Sequence, residues 1–520
     1  MTLLNKLAEG IEQAIASVAP GWAASRAYHR LLISGYEAAT PSRTHKASRE
    51  HRAANNVMAS AGRSLREQAR WLDENHDIVI GLLDKMEERI VGSKGIQIEP
   101  QPRSVSGEVL TDLAEELRRR WGAWSLKPEV TGTFTRPQME RIVLRSWLRD
   151  GDVFGKHIRG AVPNYKHLTK TPYAIELLEA DFVPDQMNDT GKNIVQGVQL
   201  NGWRRPVAYN VLLDHPGEAT GIRFTTKAIP AENMMHLALR KRLHQVRGVS
   251  LLHGIITRLS DLKDVEEAER VAARISACLA FYIKKGDAES YRAPADGTAQ
   301  SPRTFNIAPG MTFDDLRPGE EVGTIQSNRP NTGLNIWREG QLRSSAAGTR
   351  SNYSSIARDY DGSYSSQRQE LVEGFEGYAV LQDEFVAMWS RPVYRAWLEM
   401  ELLTDLQLPA DLDRSTLMDA VYLAPVMPWI DPAKESEGWK AQIRGGAATE
   451  TEWIRARGRH PDEVHRQRVQ ELRFNRENGI VTATDPANDS GANTNDQGKQ
   501  ATQPTDGDQG SGRTRQRSKQ

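Results

Sequence analysis

The chain of 520 residues (58.2 kDa) is long enough for two or three domains, or for one large body with insertions. Its 68 basic residues balance 68 acidic ones, so it lacks the basic excess of a protein that clamps DNA phosphates tightly. A single cysteine, Cys278, excludes an intrachain disulfide framework and a cysteine-based metal site, and no apolar run approaches the length of a membrane span.

The first third reads as helical. Leu4, Leu7, Ile11, Ile15 and Val18, at steps of three and four, describe an amphipathic helix, and the charges of Lys6, Glu9 and Glu12 exclude a secretory leader. A helix rich in Ala and Arg follows over Ala47–Leu72. Asn75 or Asp77 is expected to cap the next, whose Ile78, Leu82, Met86 and Ile90 share a face and which Gly92 and Gly95 stop. Leu110–Trp121 forms another amphipathic helix, and Arg136–Pro137 opens one more that runs through Trp147.

The middle is β-rich. Strands are expected at Ala174–Ala180, Val195–Leu200, Val207–Leu212, Ile222–Phe224 and Met234–Leu237, with Asn201–Gly202 as a tight hairpin turn. A long helix is then expected over Ser250–Lys284, on the stripe Leu252, Ile255, Leu259, Leu262, Val265, Ala268, Ala272, Ile275, Leu279 and Tyr282. Cys278 falls in this helix as a small buried hydrophobe. A Pro/Gly-punctuated insert, about Lys285–Arg329, reads as short strands and turns. A second long helix starts at Tyr364–Ser365–Ser366, with Ser366 as N-cap and Gln369 completing a capping box. Its stripe is Leu371, Phe375, Tyr378, Phe385 and Trp389; Gly374 and Gly377 weaken it, and Pro392 kinks or ends it. Beyond Thr482 the chain is almost free of apolar residues and is expected to be disordered, with a basic end at Arg513, Arg515, Arg517 and Lys519.

Enzyme chemistry finds little support. There is no phosphate-binding loop of the Gly-x-x-x-x-Gly-Lys type, no His-Glu-x-x-His zinc motif and no Gly-x-Ser-x-Gly elbow. One acidic cluster, Glu179, Asp181, Asp185 and Asp189, fits either solvated acids at a strand end or a Mg²⁺-binding nuclease site, the former being favoured. His236 and His244, flanking Arg240 and Arg242, suit a structural or interfacial role. No catalytic residue, metal ligand or cofactor is assigned.

Three stretches in order carry a resemblance. The first is Ile229–Pro230–Ala231–Glu232–Asn233–Met234–Met235–His236 with Gln245–Val246–Arg247–Gly248–Val249–Ser250. The second is Tyr353–Arg368, including Asp359 and Tyr364–Ser365–Ser366–Gln367–Arg368. The third is Trp429–Ile430–Asp431–Pro432–Ala433–Lys434–Glu435. Together they resemble the lambda-type portal proteins of tailed bacteriophages over about Tyr36 to Ile480.

The resemblance implies an α+β portal subunit: a mixed α/β wing, long stem helices, a small α/β clip insert and a C-terminal helical crown. It places N-terminal helices and the wing at 1–249, the first stem helix at 250–284, the clip at 285–329 and the second stem helix at 330–350. The tunnel loop falls at 351–365, the long helix and return to the wing at 366–433, the crown at 434–482, and the polar tail at 483–520. It implies a homo-oligomeric ring, a dodecamer in the family, at one capsid vertex of the virion, assembled in the host cytoplasm. Its implied partners are the large terminase subunit, major capsid and scaffold protein, head-completion and tail connector proteins, and double-stranded DNA passing non-specifically, with no membrane. Arg350, Tyr353, Arg358, Asp359 and Tyr360 become candidates for lining the DNA channel, and Arg247, Gly248, Ser250, Tyr364, Ser365, Ser366, Arg368, Trp429, Asp431, Pro432, Lys434 and Glu435 become family-motif structural residues. Arg247 and Arg368 sit at helix N-termini, where the helix dipole disfavours a cation, so each is expected to have a specific acidic partner, the next subunit being one place for it. Arg350 and Arg358 suit either weak phosphate contacts or ion pairs between subunits. The alternatives are another head–tail or minor capsid component, and the nuclease built on the acidic cluster.

Overall fold

The computed structural model describes residues 17–22, 24–25, 49–218, 225–278, 282–285, 320–323, 333–427, 431–480 and 482. The architecture is α+β. The chain forms two units: residues 1–80, 145–157 and 176–341, and residues 81–144, 158–175 and 342–520.

In the first unit, Ala54–Asn75 is helical. A three-stranded sheet has the order Tyr173–Glu179, Asp152–Arg159, Met234–Ala238, and a four-stranded antiparallel sheet has the order Ile194–Val195, Val198–Leu200, Pro206–Leu212, Thr226–Pro230. Phe154, Leu178, Val198, Tyr209, Val211, Ile229 and Met234, drawn from both sheets, share one buried cluster, the expected result of packing apolar sheet faces together. Thr226–Pro230 was not anticipated, because its lysine and threonine mask the strand; it pairs Tyr209↔Ile229 and Leu212↔Thr226. The candidate strand Ile222–Phe224 lies outside the described residues.

The hairpin between Val198–Leu200 and Pro206–Leu212 differs from the tight Asn-Gly turn. Asn201 closes a longer loop, accepting Trp203 N–H and Arg205 N–H on Oδ1, each at 2.9 Å. The positive φ (61°) falls on Arg204 rather than Gly202. An Asn side chain that caps its own loop replaces the two-residue turn.

The helix expected over Ser250–Lys284 is shorter. A 3₁₀ turn, Leu251–Gly254, leads into an α-helix over Ile256–Cys278, and Tyr282–Lys285 is a strand paired antiparallel with Glu320–Gly323. Tyr282 and Ile283 favour a strand and find a ladder partner there, which outweighs the continuing helical stripe. The side chain of Cys278 and most of the insert lie outside the described residues, as do most of the N-terminal helix and the tail. The Leu334–Thr349 helix reaches the Ile256–Cys278 helix through Arg258 Nη1 to Gln341 Oε1 (2.6 Å) and Arg338 to Glu266 (2.7 Å).

In the second unit, Thr111–Trp124 and Arg391–Glu401 pack an aromatic core. Trp121 meets Trp124, Trp397 and Tyr394 at centroid distances of 4.7, 5.1 and 5.6 Å, and Trp124 stacks on Tyr173 at 5.4 Å. Rings of this size and geometry add to plain area burial. The helix Asp77–Ile90 stops ahead of Gly92 and Gly95 as expected, both at positive φ (70° and 71°). The long helix spans Tyr364–Phe385 and passes through a π-helical turn, Val386–Ser390, into Arg391–Glu401, so Pro392 sits in the first turn of the next segment and does not end the helical path. Its N-cap is Ser363, whose Oγ accepts Ser366 N–H, not Ser366 with Gln369. Any of the three serines has cap chemistry; Ser363 is the one with extended backbone (φ −66°, ψ 150°). Gln97–Pro100 pairs antiparallel with Ala420–Leu423, and three helices, Pro432–Arg444, Glu450–Ala456 and Pro461–Glu477, complete the unit. Among the described residues no helix is long and apolar enough to cross a membrane.

Candidate functional site

The motif residues separate into a buried node in the first unit and an exposed turn in the second.

The node is centred on Asp152 and Arg247, exposed by only 1% and 2%. Asp152 opens an inner strand, and Arg247 follows a loop returning from the neighbouring strand Met234–Ala238. Arg247 Nε donates to Asp152 Oδ2 at 2.6 Å, while Nη1 and Nη2 donate to the carbonyls of Val183 (2.8 Å) and Ala180 (2.9 Å). The guanidinium also lies over the Phe154 ring, 5.3 Å from its centroid. Asp152 Oδ1 accepts Gly248 N–H at 2.7 Å and lies 3.0 Å from His236 Nε2. Burial alone would raise the Asp152 pKa, but Arg247, His236 and the Gly248 amide outweigh it and hold the carboxyl well below the usual carboxylate range. Burial pushes the His236 pKa down against the pull of Asp152, and its ring stacks on Phe154 at 4.4 Å. The acidic partner of Arg247 is therefore in the same chain, not on a neighbour.

Gly248 is required by contact. A Cβ there would lie 2.0 Å from the Gly151 carbonyl oxygen, closer than any side chain tolerates. Ser250 Oγ accepts Leu252 N–H at 3.1 Å and caps the 3₁₀ turn. The hub Gln245, missed by the sequence reading, accepts Lys241 and Arg242 N–H on Oε1 (3.0 and 3.1 Å) and donates to Arg247 O (2.8 Å). No periodic signal marks it.

The acidic cluster is solvated only in part: Glu179 is half exposed, while Asp181 and Asp185 are largely covered and paired. Asp181 lies 2.6 Å from Arg70 and 3.3 Å from Arg66, Asp185 lies 3.1 Å from Arg66, and Arg70 also holds Asp150 at 2.7 Å. Burial would raise the Asp181 pKa, yet Arg66 and Arg70 keep it low. Asp189 caps its own loop through Gly191 and Lys192 N–H. Glu179, Asp181 and His215 place ligand atoms within 4.8 Å of one another, but Arg70 Nη2, at 2.6 and 3.6 Å from the two carboxylates, fills the position a cation would take.

The exposed turn is built differently. Arg350 (φ 56°) ends the Leu334–Thr349 helix, a short helix spans Tyr353–Ala357, and Arg358 (φ 55°) terminates it. Ser351–Ser354 lies against the long helix. Ser351 Oγ meets Tyr378 OH at 3.0 Å, Asn352 Nδ2 donates to Glu370 O, and Ser354 N–H donates to Glu370 Oε1 at 2.9 Å. Gly374 and Gly377 make room for this crossing: a Cβ on Gly374 would lie 2.3 Å from Asn352, and one on Gly377 would lie 3.1 Å from Arg350 O. The helix-weakening glycines thus serve a close approach. Tyr353 OH donates to Asp359 Oδ2 at 3.0 Å and its ring lies beneath Arg343 (5.0 Å). Gln367 Nε2 donates to Tyr360 O.

From Arg358 to Ser366 every residue is exposed, among them Tyr360, Tyr364 and Ser365. Arg358 is the one cation of that stretch against Asp359 and Asp361. Arg368 is exposed and, among the described residues, forms no ion pair; nor do Arg350 and Arg358. The third motif caps the Pro432–Arg444 helix. Asp431 Oδ1 accepts Ala433 and Lys434 N–H (3.2 and 3.4 Å), Pro432 takes the first turn, and Lys434 pairs with Asp431 at 3.3 Å and lies 6.0 Å from the Tyr364 ring centroid. Glu435 is buried, and Trp429 lies outside the described residues.

Residues 40–382 match the family model described as phage portal protein, lambda family. Over 445 residues the chain is 23% identical to the probable portal protein of Halomonas phage phiHAP-1, covering 82% of this chain and 83% of that one. Two solved chains are also similar: one in the neck of an empty gene transfer agent particle with C6 symmetry (13% identical, 77% of this chain and 94% of that chain, TM-score 0.46), and one in the neck of the native particle with C12 symmetry (12% identical, 76% and 92%, TM-score 0.44).

Proposed function

The chain belongs to the lambda family of phage portal proteins, a structural, non-enzymatic component of the virion, and from that premise we propose that it closes into a homo-oligomeric ring at one capsid vertex and serves as the conduit for genome packaging and ejection. Residues 1–249 make the wing, 250–284 and 330–350 the stem helices, 285–329 the clip, 351–365 the tunnel loop, 366–433 the long helix and return to the wing, and 434–482 the crown. The terminase large subunit docks on the ring during packaging and the head-completion and tail connectors replace it; capsid and scaffold protein surround it.

One observation carries this reading. The paired helices Ile256–Cys278 and Leu334–Thr349 leave apolar side chains uncovered: Val265 is 39%, Val271 44% and Ile336 75% exposed, and the half-exposed Trp337 lies beside Ile336. The stripe is buried as far as Leu262 and then continues into solvent. Uncovered apolar faces of this kind call for a neighbour, and contacts between unlike faces repeated around an axis close a ring. The Arg358–Ser366 turn supplies a second support. A rigidly backed, near-neutral polar apex suits a channel in which duplex DNA slides, where dense phosphate clamps would hold it.

Negative-stain electron microscopy with mass determination on the purified chain tests the reading. Rings with a hole wide enough for duplex DNA are expected; a compact monomer under assembly conditions would overturn it.

A further inference from the structure

Among the described residues, the most exposed large hydrophobic side chain is Trp203, at 92%. It does not sit on a loose loop. Asn201 Oδ1 holds Trp203 N–H and Arg205 N–H, Arg204 N–H donates to Asn201 O (2.9 Å), and Asn193 Nδ2 anchors the base through Leu200 O (2.7 Å) and Asn201 O (3.2 Å). Arg204 adopts positive φ (61°) to complete the loop. Arg204 and Arg205 are exposed and, among the described residues, unpaired. The loop therefore presents a preorganised tryptophan flanked by two free cations. Trp and Arg are the residue types that dominate interface energetics, and preorganisation lowers the ordering entropy of docking.

The same chain carries a surface of the opposite character. A groove of about 720 Å³ lies between the long helix and the segment following Ala420–Leu423. Its walls are apolar and only partly covered, including Phe375, Ala379, Leu423 and Val426, and Glu376 and Asp383 stand exposed on its rim. Gln382 holds the walls apart by donating to Arg89 O (2.8 Å) and Pro425 O (2.9 Å). Arg391, stacked over Tyr422 (5.6 Å), and Arg89, over Phe375 (5.3 Å), place two guanidiniums on aromatic rings of this slot, so arginine on an aromatic wall is already its mode of contact, and Glu376 and Asp383 are the exposed carboxylates left for an indole flanked by further guanidiniums.

We propose that the Asn201–Arg205 loop of one copy docks into the Phe375–Val426 groove of another, with Trp203 seated on the apolar wall and Arg204 and Arg205 facing Glu376 and Asp383. This inference rests on the ring reading and names one of its unlike contacts. A convex tip with a single aromatic favours a protein groove over duplex DNA, whose stacked bases offer the indole no open face.

The test is mass photometry of the full-length chain and its variants over a concentration series. Trp203→Ala, the pair Arg204→Glu/Arg205→Glu, and the pair Glu376→Arg/Asp383→Arg are each expected to raise the half-assembly concentration about tenfold or more. Combining the two charge-reversed pairs is expected to recover most of that loss. All five positions are exposed, so circular dichroism and melting should match the parent, separating lost docking from lost folding. Variants that assemble like the parent overturn the loop–groove pairing while leaving the portal reading standing. Loss in the arginine pair with no recovery from the reversed rim overturns the assigned groove. Normal assembly with weakened binding of a duplex DNA probe would give the loop to DNA and overturn the pairing. A parent chain that stays monomeric overturns the portal reading itself.

Discussion

The Arg247 node and the Arg358 turn are both arginine-bearing motifs at the edge of a helix, and they are built on opposite plans. Arg247 is 2% exposed, and its donors reach one carboxylate and the carbonyls of Ala180, Val183 and Gln196. Arg358 is exposed, at positive φ, with its backing supplied by Ser351, Asn352 and Ser354 against the long helix. The first arrangement spends the charge inside the fold; the second fixes the backbone and leaves the charge free. A motif arginine is therefore a folding element or a surface element according to where its donors end, and residue type alone does not distinguish them.

The largest test of this contrast is Asp152→Ala. Breaking a buried pair leaves an uncompensated charge, and an unfolding free-energy loss of about 3–5 kcal/mol is expected from denaturant melts; a loss no larger than that at an exposed arginine would erase the distinction. Next comes Gly248→Ala, whose Cβ meets the Gly151 carbonyl. It should cost about 1–3 kcal/mol or more, since the obstacle is backbone and cannot rotate away. Gly374→Ala in the second region meets a side chain instead, Asn352. It should cost about 1 kcal/mol less than Gly248→Ala, and Asn352→Ala in the same chain should relieve part of it, read as a non-additive cycle.

Acid sharpens the comparison further. The Asp152 pKa is depressed in the folded state, so its contribution is full above the unfolded value of about 3.9 and is lost as pH falls below that toward the folded value. Stability of the parent should drop more steeply below about pH 4 than that of Asp152→Asn, followed by thermal melts in a pH series. The smallest effect is expected at Arg358→Ala, within about 0.5 kcal/mol of the parent, so any change in DNA passage there would report on the surface and not on folding.

Much of the local structure was legible. The Ile78–Ile90 stripe and its Gly92 and Gly95 stops follow from helical spacing and positive φ, and the three motif stretches were sufficient to identify the family. Local chemistry misled where several residues could do the same job. Ser363 took the cap assigned to Ser366, Asn201 replaced the Asn-Gly turn, and Tyr282–Lys285 left the helix once Glu320–Gly323 offered a ladder.

By itself the sequence determined the α+β class, the helical periodicities and the family, because these depend on residue type and near-neighbour spacing. Only the tertiary structure decided that Arg247 answers Asp152, 95 residues away, that Arg66 and Arg70 neutralise the acidic cluster, and that Gly374 and Gly377 exist for a crossing loop. Ion pairs and close approaches are set by which segments meet in space, and no spacing along the chain encodes the distance between them.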